Sequence, residues 1–335
     1  MSASKPAINF DLTVGHEQPS QPVSWNRKDL LLYNVAIGAS AQQLDYVYEK
    51  TDAFRPLPTY PLVLALKGDS PDINDFATMI SGRGELPGFP QLDPNTLVHA
   101  EQTLELHRRL PLTAAQGEGW HLRKKITAVH DKKSGLILEG TAVLCDPVGR
   151  EYATMVSSSF YRGGGQGTGF SKSLSADTRP PAGSPPKDGR KPDFSLTERT
   201  TPNQAVLYRL AGDANPLHVD PAIGQRGGLG GVILHGLCSY GFATRAILLA
   251  ANGQDGQAGA PASTLRRISG RFTSPVRPGD ELRTDVWVLK GQLGKVGETC
   301  EVAFEQTNVT TGKKSLGGGW AELRVEEGER VGSKL

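Results

Sequence analysis

Tyr208-Arg209-Leu210-Ala211-Gly212-Asp213-Ala214-Asn215-Pro216-Leu217-His218-Val219-Asp220-Pro221 is answered, after a glycine-rich gap, by Ile233-Leu234-His235-Gly236-Leu237-Cys238. Asn-Pro is a turn signal, so the backbone between Asp213 and His218 bends and brings a carboxylate and an imidazole toward one volume. Such a pair suits shared proton transfer, one group holding a water while the other takes or returns its proton. The residues alone leave a blander option open, with Asp213 a turn former and His218 a satisfied structural histidine.

Subtracting 175 from these numbers carries Tyr208 onto Tyr33, Gly236 onto Pro61 and Leu237 onto Leu62. This faint internal repeat predicts two copies of one fold. Asp213 then falls on Gly38, His218 on Gln43 and His235 on Tyr60. Pro61, opposite Gly236, has no N–H to donate. One site per chain is therefore expected, in the second copy.

The helix signals repeat as well. Asn26 with Asp29 reads as a cap and a reciprocal acid, opening a helix that stops near Gly38. Thr201-Pro202-Asn203-Gln204 reads as a capping box with proline at the first helical position. Residues 234–250 carry the most helical pattern in the chain, with small residues at Gly236, Ser239, Gly241 and Ala243. Strand-like runs fall at 97–108, 120–130, 136–145 and 151–160, and again at 265–273, 281–290, 298–307 and 314–325. Residues 67–95 read as a loop or broken segment, and 1–24 as a flexible lead-in.

The opening stretch resembles the hydratase-2 motif of the MaoC-like dehydratases, and Arg271-Phe272-Thr273-Ser274-Pro275-Val276-Arg277-Pro278-Gly279-Asp280 resembles that family's downstream strand and turn. Similarity extends to Tyr46-Val47-Tyr48-Glu49, Leu57-Pro58-Thr59-Tyr60 and Asp93-Pro94-Asn95-Thr96-Leu97-Val98-His99-Ala100-Glu101-Gln102. The resemblance implies an α+β double hot-dog fold, antiparallel sheets wrapped around central helices, and reversible hydration of trans-2-enoyl-CoA to the (3R)-3-hydroxyacyl thioester in fatty-acid β-oxidation. It implies Asp213 and His218 as the catalytic pair, Asn215 as their turn or a substrate contact, and the Gly236 N–H as oxyanion donor. His235 would line the pocket or tie the helix to a loop, Phe272 would pack in the tunnel against the substrate, and Gly227-Gly228-Leu229-Gly230-Gly231 would form a flexible wall beside the site, with Gly231 touching substrate. Arg271 would meet CoA phosphate or form a structural salt bridge. Leu229, Val232 and Ala211 replace residue types frequent in the family.

Composition narrows the alternatives. A net charge of +2 on 37 basic and 35 acidic residues gives no electrostatic reason for a nucleic-acid partner. Three widely spaced cysteines argue against a disulfide scaffold or a zinc cluster, and neither a metal nor another cofactor is expected. Gly163 to Gly169 lacks the spacing of a dinucleotide fingerprint, and the chain lacks an apolar run of about 18 residues that would span a membrane. Ser333-Lys334-Leu335 reads as a peroxisomal address for an import receptor. The expected organisation is a lead-in at 1–24, a non-catalytic copy at 25–165, a linker at 166–195, the catalytic copy at 196–325 and a tail at 326–335, with homodimerisation through a sheet plausible. A thioester hydrolase and a non-catalytic acyl-CoA-binding protein are the rival readings.

Overall fold

A computed structural model describes residues 8–81, 84–93, 96–175, 180–252 and 261–330 of the chain; Pro94, Asn95 and the terminal Ser333-Lys334-Leu335 lie outside them. The first half runs α1 (Phe10–Thr13), β1 (Glu17–Pro22), α2 (Arg27–Ala36), α3 (Leu44–Val47), α4 (Pro61–Lys67) and α5 (Phe76–Ser81). Four long strands follow: β2 (Leu97–Leu106), β3 (His121–Lys132), β4 (Gly135–Cys145) and β5 (Glu151–Arg162). After the short β6 (Ser171–Ser173) the pattern returns as β7 (Phe194–Arg199), α6 (Gln204–Leu210), a 3-10 turn at Pro216–His218, α7 (Pro221–Arg226) and α8 (Gly236–Asn252). It closes with β8 (Pro261–Phe272), β9 (Glu281–Lys290), β10 (Thr299–Asn308) and β11 (Lys313–Arg330).

Among the described residues these strands form one antiparallel sheet in the order β1-β3-β4-β5-β2-β8-β11-β10-β9-β7, with β6 added on β3. Raising each number of the first five by six gives the second five, so the two halves share one topology and meet where β2 pairs β8 around Thr103 opposite Ser269. The symmetry reaches the irregularities. Ala100 is an extra residue in β2 against β5, and Arg266 is an extra residue in β8 against β11. Each bulge re-aims the residue beside it, and these two recur at matching places in the halves.

Local chemistry explains the helices. The Asn26 side chain accepts from the amides of Lys28 (2.8 Å) and Asp29 (3.2 Å), while the Asp29 carboxylate accepts from the Asn26 amide (2.9 Å), the reciprocal box expected. α2 ends before Gly38, whose φ of +88° only glycine adopts without strain. Near α6 the Gln204 side-chain carbonyl accepts from both the Thr201 amide and its hydroxyl. With that hydroxyl used as a donor the expected box is half made, and the helix starts at Gln204 instead of Pro202. Pro61 and Gly236, paired by the 175 offset, each open a helix. α4 stops at Gly68 after seven residues, whereas α8 runs for 17.

α8 is buried on nearly every side, packed against β7, β8, β9 and β11 of the second half; a helix apolar all round belongs in a core. Each of its fully buried large apolar side chains contributes roughly 1.5–3 kcal/mol relative to exposure. Gly241 packs so tightly that a Cβ there would meet Ile37 at 2.5 Å, which ties the second half's helix to the end of α2. Among the described residues no helix is long and apolar enough to cross a membrane.

Two expectations need correction. Residues 17–22 of the expected lead-in belong to strand β1 on β3, and β7 on β9 begins at Phe194, two residues inside the expected linker. Both are short, polar edge strands whose side chains give little apolar alternation to read. The loop 67–95 also contains α5.

Candidate active site

The site is assembled between the Asp213–His218 turn and the start of α8. The Asp213 side chain accepts from the Asn215 amide (3.2 Å), and the Asn215 side chain accepts from the Leu217 amide (3.0 Å). Two overlapping side-chain turns thus bend the chain into the 3-10 turn that delivers His218. Asn215 therefore builds the turn, one of its two expected roles.

His218 is buried, and its Nδ1–H donates to the Ile233 carbonyl at 2.9 Å. That bond commits Nδ1 to the proton and leaves the Nε2 lone pair available, the condition for a neutral imidazole to act as a base. His235 stacks on it with ring centroids 3.7 Å apart, and donates from Nε2 to the backbone carbonyl of Asp213 at 3.2 Å. Its Nε2 lies 4.0 Å from the Asp213 carboxylate, and its Nδ1 is buried with no protein partner. Tyr208 packs on the other side of His235 at 4.8 Å. Burial lowers the pKa of His218 against a smaller raising effect of the Asp213 carboxylate. Burial also takes His235 well below the ordinary range, helped by the neighbouring His218. Both rings are thus favoured in the neutral form.

Asp213, His218 and His235 place one possible ligand atom each within 4.8 Å of one another. Each imidazole already spends one nitrogen on a backbone carbonyl, leaving one nitrogen per ring for a water, a substrate or a cation.

Gly236 follows His235 directly, so the imidazole stack lies at the first turn of α8, beside Asp213 and His218. The Cys238 and Ser239 amides turn back onto the His235 carbonyl, while among the described residues the Gly236 amide has no protein acceptor. A free amide at a helix N-terminus carries partial positive charge suited to a developing oxyanion. A Cβ at Gly236 would stand 3.0 Å from two ring atoms of Phe272, so only glycine lets the Phe272 ring approach the amide this closely.

Phe272 lies against Gly236, and beside it stands a residue the sequence reading left without a role. The bulge at Ala100 turns His99 of β2 inward, and its ring packs on Phe272 at 4.5 Å. The first half thus supplies part of the wall. Arg271 is corrected to the salt-bridge alternative: strand neighbours face opposite sides, and with Phe272 turned to α8 the Arg271 guanidinium lies on the far face, paired with Glu101 at 2.5 Å. Gly231 sits in the 227–231 wall with φ of +117°. That wall is clamped, not flexible: the Arg277 guanidinium donates to the carbonyls of Leu229 (3.1 Å), Gly230 (3.2 Å) and Val232 (3.3 Å), and Arg162 of the first half donates to Gly227 (3.2 Å). Neither arginine was singled out from sequence, because no local pattern announces a guanidinium that acts on carbonyls 45 to 65 residues away.

The first half carries other side chains at the counterpart positions. Tyr33 packs on Tyr60 at 5.4 Å as Tyr208 packs on His235, and Tyr33 meets Tyr208 across the axis at 6.0 Å. At the counterpart of Asp213, a Cβ on Gly38 would stand 2.6 Å from the Phe242 ring. Gln43, the counterpart of His218, accepts instead from Arg245 at 3.3 Å.

Two family descriptions match the chain: MFE-2 hydratase 2 N-terminal domain over residues 23–163, and MaoC like domain over 184–312. The chain is 32% identical over 337 residues to the peroxisomal enoyl-CoA hydratase 2 of Arabidopsis thaliana, covering 97% of this chain and 98% of that one. It is 32% identical to the peroxisomal multifunctional enzyme type 2 of Mus musculus over 309 residues, 88% of this chain but 38% of that longer protein. Among solved structures, a MaoC-like dehydratase from Phytophthora capsici superposes with a TM-score of 0.78 at 32% identity, covering 96% of this chain and 99% of that one.

Proposed function

This chain belongs to the MaoC-like dehydratase family, in the arrangement that joins a hydratase 2 N-terminal domain to a MaoC-like domain, and we propose from that membership that it is an R-specific enoyl-CoA hydratase acting in fatty-acid β-oxidation. The reaction adds water reversibly to trans-2-enoyl-CoA and yields (3R)-3-hydroxyacyl-CoA. The observation that carries the catalytic assignment is the His218 Nδ1–H bond to the Ile233 carbonyl, which leaves Nε2 as a base beside the Asp213 carboxylate.

In this reading His218 Nε2 accepts a proton from a water as that water attacks the β-carbon. Asp213 orients the water, takes up the proton that His218 has gained and delivers it to the α-carbon, so the water's hydroxyl and hydrogen both end on the product and both side chains return to their starting forms. The Gly236 N–H holds the thioester oxygen while charge develops on it, a donor whose loss costs on the order of 3 kcal/mol of barrier. His235 holds the Asp213 backbone and buttresses the His218 ring. We divide the chain accordingly into a non-catalytic half carrying β1 to β5 and a catalytic half carrying β7 to β11. Peroxisomal residence, and import through Ser333-Lys334-Leu335, are part of the proposal; the name of the Arabidopsis relative supports the compartment.

The test is purified protein with trans-2-enoyl-CoA esters of several lengths, following loss of the conjugated-thioester absorbance, the chirality of the alcohol and release of free thiol. The expected result is the 3R alcohol without thiol release. Thiol release from saturated acyl-CoA, with no hydration at any length, would point to thioester hydrolysis and overturn the assignment.

A further inference from the structure

The pseudo-twofold that relates the halves carries the catalytic cleft onto a second cleft, and that second cleft is open. The catalytic one is framed by the 229–233 segment, by Phe272 at the end of β8 and by His99, turned inward at the Ala100 bulge. The counterparts are the 54–58 segment, Leu106 at the end of β2 and Leu265, beside the matching bulge at Arg266. Residues from all three line one cavity of about 460 Å³. Gly38, Gln43 and Tyr60, the counterparts of Asp213, His218 and His235, are not among its described lining residues.

Its lining has a character of its own. Leu106, Leu110, Leu248 and Leu265 give it an apolar wall, and the guanidinium-bearing residues Arg55, Arg108, Arg109 and Arg266 surround that wall with no carboxylate among the described lining residues. Arg55 keeps an ion pair with Asp45 at 3.6 Å just behind the cleft. In a chain of net charge +2, four arginines on one cleft are a local concentration that selects anions. An apolar wall beside a cationic rim fits a ligand with both properties.

We propose that this second cleft binds, without turning it over, an acyl chain that carries an anionic head, the chain against the leucines and the head against the arginines. An acyl-CoA thioester and a free fatty carboxylate share that chemistry. The proposal rests on the hydratase reading only for the identity of the first cleft. Palmitoyl-CoA, which has no enoyl bond to hydrate, palmitate, and CoA alone would each be titrated against the full chain, its D213A variant, R108E and L110W. Two equivalents of an acyl ligand per chain are expected for the wild type and D213A. L110W should bind one, and R108E should hold the second equivalent about tenfold more weakly, both with unchanged enoyl hydration. A second equivalent of palmitate as well as palmitoyl-CoA identifies the carboxylate as sufficient; a second equivalent of palmitoyl-CoA only identifies the thioester. One equivalent per chain for both acyl ligands, a second site filled by CoA alone, or two equivalents kept by both R108E and L110W would overturn the proposal. Failure of the hydratase reading looks different: two equivalents still bind, and enoyl-CoA is not consumed.

Discussion

A histidine serves as a base only if its proton is elsewhere, and the surroundings of His218 arrange that twice. The Ile233 carbonyl takes the Nδ1–H, and burial favours the uncharged ring. The sign of the pH dependence follows. A pKa lowered below the ordinary 6.5 keeps His218 neutral at 6.5, so kcat/KM should fall only as pH drops through that lower value. A pH–rate profile whose acid midpoint sits at or above 6.5 would remove His218 from the role of base. At Gly236 the prediction is steric: G236A places a Cβ 3.0 Å from the Phe272 ring, and kcat should drop about tenfold or more as the amide is displaced. Steady-state kinetics of G236A, and of G236A with F272L, should show part of that loss restored when the ring is removed. Asp213, His218 and Gly236 were legible in the sequence because turn chemistry and a family motif mark them. The partner carbonyl of His218 was not, since a backbone oxygen carries no residue signature.

Elements position these groups through their ends. The turn from Asp213 to His218 is two side-chain caps in series, and the wall opposite is held by Arg277. Removing that clamp in R277A should loosen 227–231, raise KM several-fold and speed proteolysis there, with kcat little changed; a kcat loss without a KM change would contradict a wall role. Most strands and both principal helices could be read from periodicity and capping. β1 and β7 could not: each is a short polar edge whose partner strand, not its own sequence, makes it a strand. The bulges at Ala100 and Arg266 were equally hidden, and with them the inward turn of His99 onto Phe272.

Across the whole molecule the two halves depend on each other. Arg245 of α8, buried to 3% exposure, donates to the Ile37 carbonyl at 3.2 Å and to Gln43, and pairs with Glu198. R245A strands those acceptors, and unfolding by denaturant should show a loss of about 3 kcal/mol. Acid should act on the whole fold too. His99 is lowered to about 4 by burial, and His218 and His235 are lowered as well. Below about 6.5 the unfolded chain takes up protons that the folded chain refuses, so stability should fall as pH goes from 6.5 toward 4. Denaturant midpoints that do not move over that window would argue against neutral buried imidazoles. The duplication itself was visible in the 175 offset, and so was the replacement of Asp213, His218 and His235 by Gly38, Gln43 and Tyr60 in the first copy. That the first copy returns a wall residue, His99, and a clamp, Arg162, to the second copy's site depends on folding β2 and β5 against it.

The most direct test of one catalytic pair in one half is the hydration rate of D213A, H218A and the double variant on a single trans-2-enoyl-CoA. The account predicts that each single variant loses on the order of 10² to 10⁴ in kcat. The double variant should be little worse than the poorer single one, because the two residues act as a unit. Either single variant retaining wild-type turnover while folded would contradict it.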